Sequence, residues 1–258
     1  MWNESLFCAP QLQRISLGSN PRVFTESAEL YDVIYSSFKD YPAESAQIAQ
    51  LLRSIDPSYH RLLDVGCGTG EHASLLANRH GFAVDGLDID PEFVRIAQTK
   101  NPAGRFFEAD MSDFSLSTLY DAVLCLFSSI GYVKTLDRLE RTLGCFRTHL
   151  QHRGRVVVEP WFPPGKMQPG HHSERIGERA GVRVRRVGTT ELDGRVSRLR
   201  FEYTIESDRG VRHATETHEL GLFTVDEMLA AFAAAGLVAE YESAGLAGRG
   251  LYVARVAA

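Results

Sequence analysis

One short stretch limits the fold of this chain more than any other. It reads Leu-Leu-Asp-Val-Gly-Cys-Gly-Thr-Gly-Glu and occupies residues 62–71. Glycine permits sharp turns and close backbone approaches that a side chain would prevent, and the helical pattern that follows would present free N–H groups. A strand, a glycine loop and a helix in this order are typical of α/β folds that hold a nucleotide-like cofactor at their strand ends.

The sequence around this loop alternates between strand-like and helix-like segments. Helices are predicted at residues 26–35, 43–55, 72–79, 90–100 and 135–150, with Gly154 breaking the last one. Short apolar runs predict strands at residues 61–65, 83–88, 105–108, 122–126 and 155–159. This alternation favours a Rossmann-like α/β fold, with a parallel sheet covered by helices on both faces.

The pattern changes after the fifth strand. Residues 161–170 are rich in proline and glycine and are predicted to form a loop. Three consecutive strands are then predicted at residues 183–190, 196–207 and 211–222. Gly194 and Gly210 fall where hairpin turns would join these strands. Thr224 opens a helix with a capping box, and two last strands are predicted at residues 238–241 and 251–256.

This organisation predicts one domain over residues 26–258, preceded by a loose tail over residues 1–25. Residues 160–222 are predicted to form an inserted antiparallel layer that binds the acceptor molecule. The segment is too short to bury much core alone, so it is not expected to be an independent domain. The basic run Arg183, Arg185 and Arg186 is interpreted as a solvated strand face.

Composition excludes several classes of protein. The chain has 258 residues and a formal net charge of −5, so no global basic field would attract nucleic acid. No run approaches the roughly 18 apolar residues of a membrane helix. The four cysteines form no CxxC pair and fit a reducing cytoplasm. The histidines lack zinc-type spacing, so no metal site is predicted.

The spacing of the glycines indicates which cofactor the loop serves. Gly66, Gly68 and Gly70 make a G-x-G-x-G pattern, whereas dinucleotide sites follow G-x-G-x-x-G. Asp64 would repel a pyrophosphate but suits the ammonium of an amino-acid-type cofactor. Asp88 lies about 20 residues further on, where a carboxylate commonly grips ribose hydroxyls. These features in register suit adenosine joined to methionine.

A third acidic position completes this pattern. Asp110 follows the third strand and could accept from an exocyclic amine, while Met111 could pack on a purine face. The set closely resembles the signature of class I methyltransferases that use S-adenosylmethionine. The residues predicted to hold this cofactor are Tyr31, Tyr41, Asp64, Gly66, Gly68, Asp88, Ile89, Asp110, Met111 and Leu126.

Further phrases extend the resemblance over residues 26–253. They lie at residues 28–32, 39–41, 127–131, 158–161 and 248–251. Together they resemble the N-methyltransferases that act on nucleotide-linked amino sugars in the biosynthesis of macrolide antibiotics. The resemblance implies that Tyr31 and Tyr41 close over the cofactor, and that the acceptor is a nucleotide-linked amino sugar.

The residues on the acceptor side depart from the pattern of this family. The family usually has histidine after Ile-Gly, where this chain has Tyr132. Tyr132, Glu159 or water could accept the amine proton. Trp161, His171 and Arg249 are predicted to bind the acceptor. Arg249 could hold a pyrophosphate or form a surface ion pair.

Three other functions remain open from the sequence. The first is methylation of oxygen or carbon of another metabolite, motivated by the departure at Tyr132. The second is a NAD(P)-dependent oxidoreductase, which Asp64 and the absence of glycine at position 71 oppose. The third is a non-catalytic protein that binds the same cofactor. The number of methyl groups added and the oligomeric state, a homodimer included, also stay open.

Overall fold

The computed structural model describes residues 28–257, so the predicted tail lies outside the described residues. Five strands alternate with helices in the first part of this range. The strands are β1 (Arg61–Val65), β2 (Ala83–Asp88), β3 (Phe106–Glu108), β4 (Tyr120–Cys125) and β5 (Leu150–Val158). The helices are α1 (Ala28–Tyr35), α2 (Tyr41–Ile55), α3 (Glu71–His80), α4 (Pro91–Lys100) and α5 (Leu136–Thr148), with a 3₁₀ turn at Ser129–Val133.

A second group of strands follows. It comprises β6 (His172–Arg179), β7 (Val182–Asp193), β8 (Val196–Ser207) and β9 (Gly210–Gly221). The chain then forms α6 (Val225–Ala234), β10 (Leu237–Glu242) and β11 (Leu251–Val256). Local signals set these boundaries. The side chain of Asp90 accepts from the first N–H groups of α4, and Thr224 and Glu227 form the predicted capping box at α6.

Within residues 28–257 the strands form two sheets. The larger has the order β10-β11-β5-β4-β1-β2-β3, and β11 runs antiparallel to both of its neighbours. The order reverses between β1 and β4, so the carboxyl ends of these strands open a crevice. The smaller sheet is antiparallel in the order β6-β7-β8-β9. The predicted α/β sheet with an antiparallel insertion after the fifth strand is confirmed.

The insertion contains one strand more than predicted. β6 pairs with β7 along its length but is mostly exposed. It forms an edge of the smaller sheet, so it needs no apolar alternation, and the sequence His-Ser-Glu-Arg-Ile-Gly-Glu-Arg gives none. The prediction of three strands was therefore wrong because edge strands carry a weak hydrophobic signal.

The end of α5 also differs from the prediction. The helix stops at Thr148, and Gly154 lies inside β5 rather than ending a helix. His149 is buried at this junction. Its Nδ1 lies 2.7 Å from the Cys145 carbonyl, and its Nε2 accepts from the Leu116 N–H at 2.8 Å. These long-range contacts fix the transition from helix to strand.

The apolar side chains form cores on both faces of the larger sheet and a separate one under the smaller sheet. That third cluster joins Leu30 and Ile34 of α1 to Val184, Phe201 and Ile205. The approach of α1 to β6 is so close that a Cβ at Gly177 would lie 2.2 Å from the Val33 carbonyl. Helix α1 therefore lies between the antiparallel layer and the crevice of the larger sheet.

Candidate active site

The glycine loop after β1 turns against the end of β2. The N–H groups of Gly66 and Cys67 donate to the Leu87 carbonyl at 2.8 and 3.0 Å. Gly66 has a φ of +68°, in the left-handed region. A Cβ there would lie 2.7 Å from the Cβ of Ser129. Both the turn and the close approach therefore require glycine.

The loop and the ends of β1 and β4 line a pocket that opens to solvent. It brings together six residues predicted to hold the cofactor: Tyr31, Tyr41, Asp64, Gly66, Gly68 and Leu126. Six others line it that were not singled out: Cys67, Thr69, Glu71, His72, Phe127 and Ser129. Most of these lie inside the glycine motif or directly after β4, so the motif itself was the signal that could have found them.

Two carboxylates lie at the strand ends beside this pocket. Asp64 is 2% exposed, and burial raises its pKa to about 6. No residue in the described part of the chain donates a hydrogen bond to its carboxylate. Burial also raises the pKa of Asp88 to about 6, although the N–H groups of Gly68 and Asp90 donate to it at 2.8 and 3.0 Å. Cationic or hydroxyl groups of a ligand would stabilise both carboxylates in the ionised form.

The other predicted cofactor residues, which besides Asp88 are Ile89, Asp110 and Met111, are not among the lining residues of the pocket. Met111 Cε would be 3.4 Å from a Cβ at Gly66. Asp110 forms an ion pair with Arg138 at 2.7 Å, and Ile89 is 53% exposed. Contact of these three side chains with the cofactor stays a prediction.

Helix α1 is tied to the glycine loop by charged side chains. Asp32 accepts from the Thr69 hydroxyl at 2.6 Å and pairs with Lys100 at 2.6 Å. Lys100 also pairs with Glu71 at 3.0 Å. This network fixes α1 against the loop and brings Tyr31, which precedes Asp32, into the pocket lining.

A second network joins the start of α2 to α3. Glu44 contacts the ammonium of Lys39 and lies 3.0 Å from His72 Nε2. The Lys39 ammonium also lies 4.0 Å from the ring centroid of Phe127, an attractive cation–π arrangement. Tyr41, at the start of α2, is thereby held between these charged groups and the aromatic ring.

The turn after β4 is strained. Phe127 and Ser128 have φ values of +52° and +64°, which cost energy in residues other than glycine. Glu159 Oε2 accepts from the Phe127 N–H at 2.7 Å, and Glu159 Oε1 accepts from Arg249 at 2.6 Å. The Ser128 hydroxyl donates to the Pro160 carbonyl at 2.7 Å. Groups directly after β5 and in the loop before β11 therefore hold this turn in place.

These contacts bear on two predicted roles. Both oxygens of the buried Glu159 carboxylate are engaged, which favours an anchoring role over proton acceptance. The Arg249 side chain is 14% exposed, and its Nε has no hydrogen-bond partner within residues 28–257. The assignment of Glu159 as proton acceptor and the contact of Arg249 with a pyrophosphate stay predictions.

The remaining acceptor-side residues are placed differently from one another. The Tyr132 hydroxyl lies 2.8 Å from His218 Nδ1. Trp161 Nε1 donates to the Ser197 hydroxyl at 2.9 Å, so Trp161 joins the loop after β5 to the antiparallel layer. His171 is exposed at the entry to β6. The sequence did not indicate His218, because its partner is 86 residues away.

The basic run on β7 is not uniformly solvated, so that interpretation was wrong for Arg186. Arg186 is only 6% exposed because alternation along the strand places it on the buried face with Val184. Its guanidinium lies 4.3 Å from the Phe201 centroid and 5.0 Å from the Tyr35 centroid. Its Nε and Nη1 have no hydrogen-bond partner in the part of the chain that is described.

These residues fit S-adenosylmethionine. Within residues 28–257 nothing donates a hydrogen bond to the buried carboxylate of Asp64, which would suit an ammonium group, and Asp88 ends the second strand, where a carboxylate would suit ribose hydroxyls. Tyr31 and Tyr41 line the pocket with aromatic rings, which would attract a positively charged sulfur centre. Gly66 leaves a cradle in which a Cβ would collide with Ser129. The fold and the pocket together define a class I methyltransferase that uses S-adenosylmethionine.

Comparison with known proteins is consistent with this class. The sequence model of the methyltransferase domain matches residues 62–154. The dTDP-3-amino-3,6-dideoxy-alpha-D-glucopyranose N,N-dimethyltransferase of Streptomyces fradiae is 40% identical over 229 residues, covering 88% of this chain and 89% of the relative.

Two solved structures extend the comparison. DesVI of Streptomyces venezuelae has a TM-score of 0.85 and 38% identity, covering 90% of this chain and 99% of its own. CalS10, an amino pentose methyltransferase of Micromonospora echinaspora solved with bound S-adenosylmethionine, has a TM-score of 0.79 and 34% identity, covering 87% and 95%. The chain belongs to the family of S-adenosylmethionine-dependent sugar N-methyltransferases.

Two further observations concern metals and membranes. Among the described residues, no group of three or more histidine, cysteine, aspartate or glutamate side chains is placed to hold a metal ion. No helix in residues 28–257 is both long enough and apolar enough to cross a membrane.

Proposed function

We propose that the protein transfers methyl groups from S-adenosylmethionine to the amino group of a nucleotide-linked amino sugar. The observation that carries this proposal is the similarity to the Streptomyces fradiae enzyme. That similarity spans nearly the whole chain, so it takes in most of the antiparallel layer as well as the cofactor pocket. A relative that shared the cofactor alone would not be expected to resemble the layer.

The chemistry of the layer supports a polar acceptor. Beside α1 lies the buried guanidinium of Arg186, with two donor atoms that have no partner in the described residues. The half-buried Tyr132 and the buried His218 form a second polar pair. Burying such groups without a ligand is costly. A sugar offers hydroxyls and an amine to these donors and acceptors, and a purely apolar acceptor offers none. We propose that residues 160–222 form the acceptor-binding layer of a single domain.

The mechanism needs little from the protein beyond alignment. The bound cofactor supplies an activated methyl group on a sulfonium sulfur. The strained turn at Phe127 and Ser128, anchored by Glu159, shapes the wall where β4 ends. Helix α1 closes the pocket and excludes water, and Tyr132 lies where it can orient the acceptor amine. Holding two reactants in line in this way accounts for much of the rate enhancement of such enzymes.

A panel assay tests the proposal. Purified protein is incubated with S-adenosylmethionine and dTDP-linked amino sugars that carry the amine at different ring positions, and mass spectrometry counts the methyl groups added. Catechols, carboxylic acids and free amines serve as controls. Methylation of at least one nucleotide-linked amino sugar is expected. Methylation confined to oxygen or carbon of the control compounds would favour the alternative function, and cofactor binding without any turnover would favour a non-catalytic protein.

A further inference from the structure

A row of buried polar side chains leads from the acceptor side of the pocket into the antiparallel layer. Tyr132 Oη lies 2.8 Å from His218 Nδ1. His218 Nε2 lies 3.5 Å from Glu216 Oε2, and the Tyr203 hydroxyl donates to the same oxygen at 3.0 Å. His218 is 2% exposed and Glu216 is 7% exposed. None of these contacts is required by the cofactor pocket itself.

The order of groups sets the direction of the hydrogen bond between Tyr132 and His218. Glu216 Oε2 lies 3.5 Å from Nε2, and because an ionised carboxylate offers only lone pairs, this electrostatic contact favours the tautomer of His218 that carries its proton on Nε2. Nδ1 then keeps its lone pair and accepts the hydroxyl proton of Tyr132. Because that proton is committed to His218, the phenol oxygen of Tyr132 can present only lone pairs to any other neighbour.

Tyr132 lies at the junction between the layer and the cofactor pocket. It belongs to the 3₁₀ turn whose first residue, Ser129, donates to the Gly66 carbonyl at 3.1 Å. Burial and then the surrounding phenols, Tyr132 among them, raise the pKa of Tyr31 well above its ordinary value. Since Tyr31 lines the pocket, the Tyr132 phenol is within electrostatic reach of a pocket-lining group, although Tyr132 is not itself among the lining residues.

We propose that His218, oriented by Glu216, positions the Tyr132 hydroxyl as a hydrogen-bond acceptor for an N–H of the acceptor amine. This inference rests on the proposed function and specifies how the site selects its nucleophile. An amine that donates one N–H to Tyr132 has its lone pair turned in a fixed direction. A free phenol would instead donate its proton to that lone pair and block the attack.

The same requirement limits the number of transfers. Each transfer forms one N–C bond from the amine lone pair while the broken C–S bond leaves its electrons on sulfur, and the ammonium product releases its proton to water. A primary amine and a neutral monomethylamine both keep an N–H that Tyr132 can accept. A dimethylamine has none, so the reaction stops after two methyl groups.

Two variants of nearly equal size test the positioning role. His218→Asn keeps an acceptor oxygen near the place of Nδ1, whereas His218→Leu removes it. Acceptor binding is measured without turnover, by calorimetry with dTDP-3-amino-3,6-dideoxy-α-D-glucopyranose in the presence of S-adenosylhomocysteine. His218→Leu is expected to lower kcat by tens-fold and weaken acceptor binding, because alignment effects reach this scale. For His218→Asn, kcat and acceptor affinity should stay within roughly threefold of wild type, a smaller change than the loss of one hydrogen bond would cause.

Two further measurements separate positioning from general damage. The affinity of each variant for S-adenosylmethionine should equal that of wild type, since His218 does not line the cofactor pocket. The double variant Tyr132→Phe with His218→Leu should be no slower than Tyr132→Phe alone, because His218 acts only through the Tyr132 hydroxyl. Wild-type product should contain dimethylamine and no trimethylammonium.

Several outcomes would overturn the inference. They are wild-type activity in His218→Leu, equal losses in His218→Leu and His218→Asn, additive losses in the double variant, or a trimethylated product. The two variants could differ as expected on another amine while no nucleotide-linked amino sugar is methylated. That result would reject the proposed acceptor but keep the positioning role. A wild-type protein that methylates no amine would reject both.

Discussion

The cofactor pocket and the antiparallel layer hold their functional groups by different means. The shape of the pocket depends on the backbone, because Gly66 and Gly68 take left-handed conformations directly after β1. In the layer, the polar groups are positioned by side-chain contacts, those of Tyr132 with His218 and of Arg186 with Phe201. A backbone turn tolerates almost no substitution, whereas a side-chain contact can be replaced by another of similar chemistry. Under the proposed function, the layer is therefore the part in which acceptor specificity can vary while the cofactor stays the same.

The largest expected effect concerns the ion pair that supports the turn after β4, at the wall of the cofactor pocket. Arg249→Ala leaves the carboxylate of Glu159 fully buried without its ion-pair partner. Removing one member of a buried pair typically costs about 3–5 kcal/mol of stability. Thermal and urea denaturation should show this loss, and the KM for the acceptor should also rise. Arg249→Lys, which keeps the charge, serves as the control. An Arg249→Ala protein with unchanged stability and KM would show that this pair supports neither the fold nor acceptor binding.

The next effect is confined to the pocket. Gly66→Ala should lower the free energy of unfolding by about 2–5 kcal/mol, the sum of left-handed strain and overpacking against Ser129, and should weaken S-adenosylmethionine binding because the loop must shift. Gly81→Ala is the matched control, because its φ is +73° and an added Cβ there would meet nothing within 4 Å. Calorimetry should find normal cofactor affinity in the control. Equal losses of stability and of cofactor affinity in both variants would mean that backbone strain alone, and not the close approach to Ser129, accounts for the need for glycine at position 66.

Asp88→Ala should weaken S-adenosylmethionine binding by about 1–3 kcal/mol, the scale of a lost hydrogen bond to a charged group. Part of this loss comes from the loop, because Asp88 also accepts from the Gly68 N–H at 2.8 Å. Calorimetry at constant pH measures the change. Wild-type affinity in this variant would remove Asp88 from the site and weaken the case for a ribose contact.

The pocket should also respond to pH. Burial raises the pKa of Asp64 to about 6, and an ammonium ligand binds the ionised form. As pH falls through this value, protonation competes with binding, so affinity should fall by roughly tenfold per pH unit. Asp64→Asn should bind more weakly at pH 7 and show a shallower pH dependence. Equal slopes for the two proteins between pH 7 and pH 5 would contradict this assignment.

Removal of metal ions is expected to have no effect. A chelator should leave turnover intact, because alignment and an activated methyl donor suffice for the proposed reaction. Assays with and without EDTA measure this directly. Loss of activity that magnesium restores would indicate methylation of an oxygen acceptor. A metal ion, and not the antiparallel layer, would then hold that acceptor.

The sequence predicted the pocket better than the layer. Six of the predicted cofactor residues line one pocket, because they are local to strand ends whose order the α/β alternation determines. In the layer, β6 was missed because an exposed edge strand has no apolar alternation. The exposure of Arg186 was predicted wrongly because neighbouring residues of a strand point to opposite faces, so Arg185 is exposed and Arg186 is buried.

The sequence by itself determined the α/β fold, the glycine cradle and the two acidic strand ends, because each depends on turns and periodicities within a few residues. Only the tertiary structure decided which distant side chains meet. Tyr132 and His218 are 86 residues apart, and Glu159 and Arg249 are 90 residues apart. The first pair forms where the 3₁₀ turn meets the antiparallel layer, and the second where the chain after β5 meets the loop before β11. No local pattern encodes such packing.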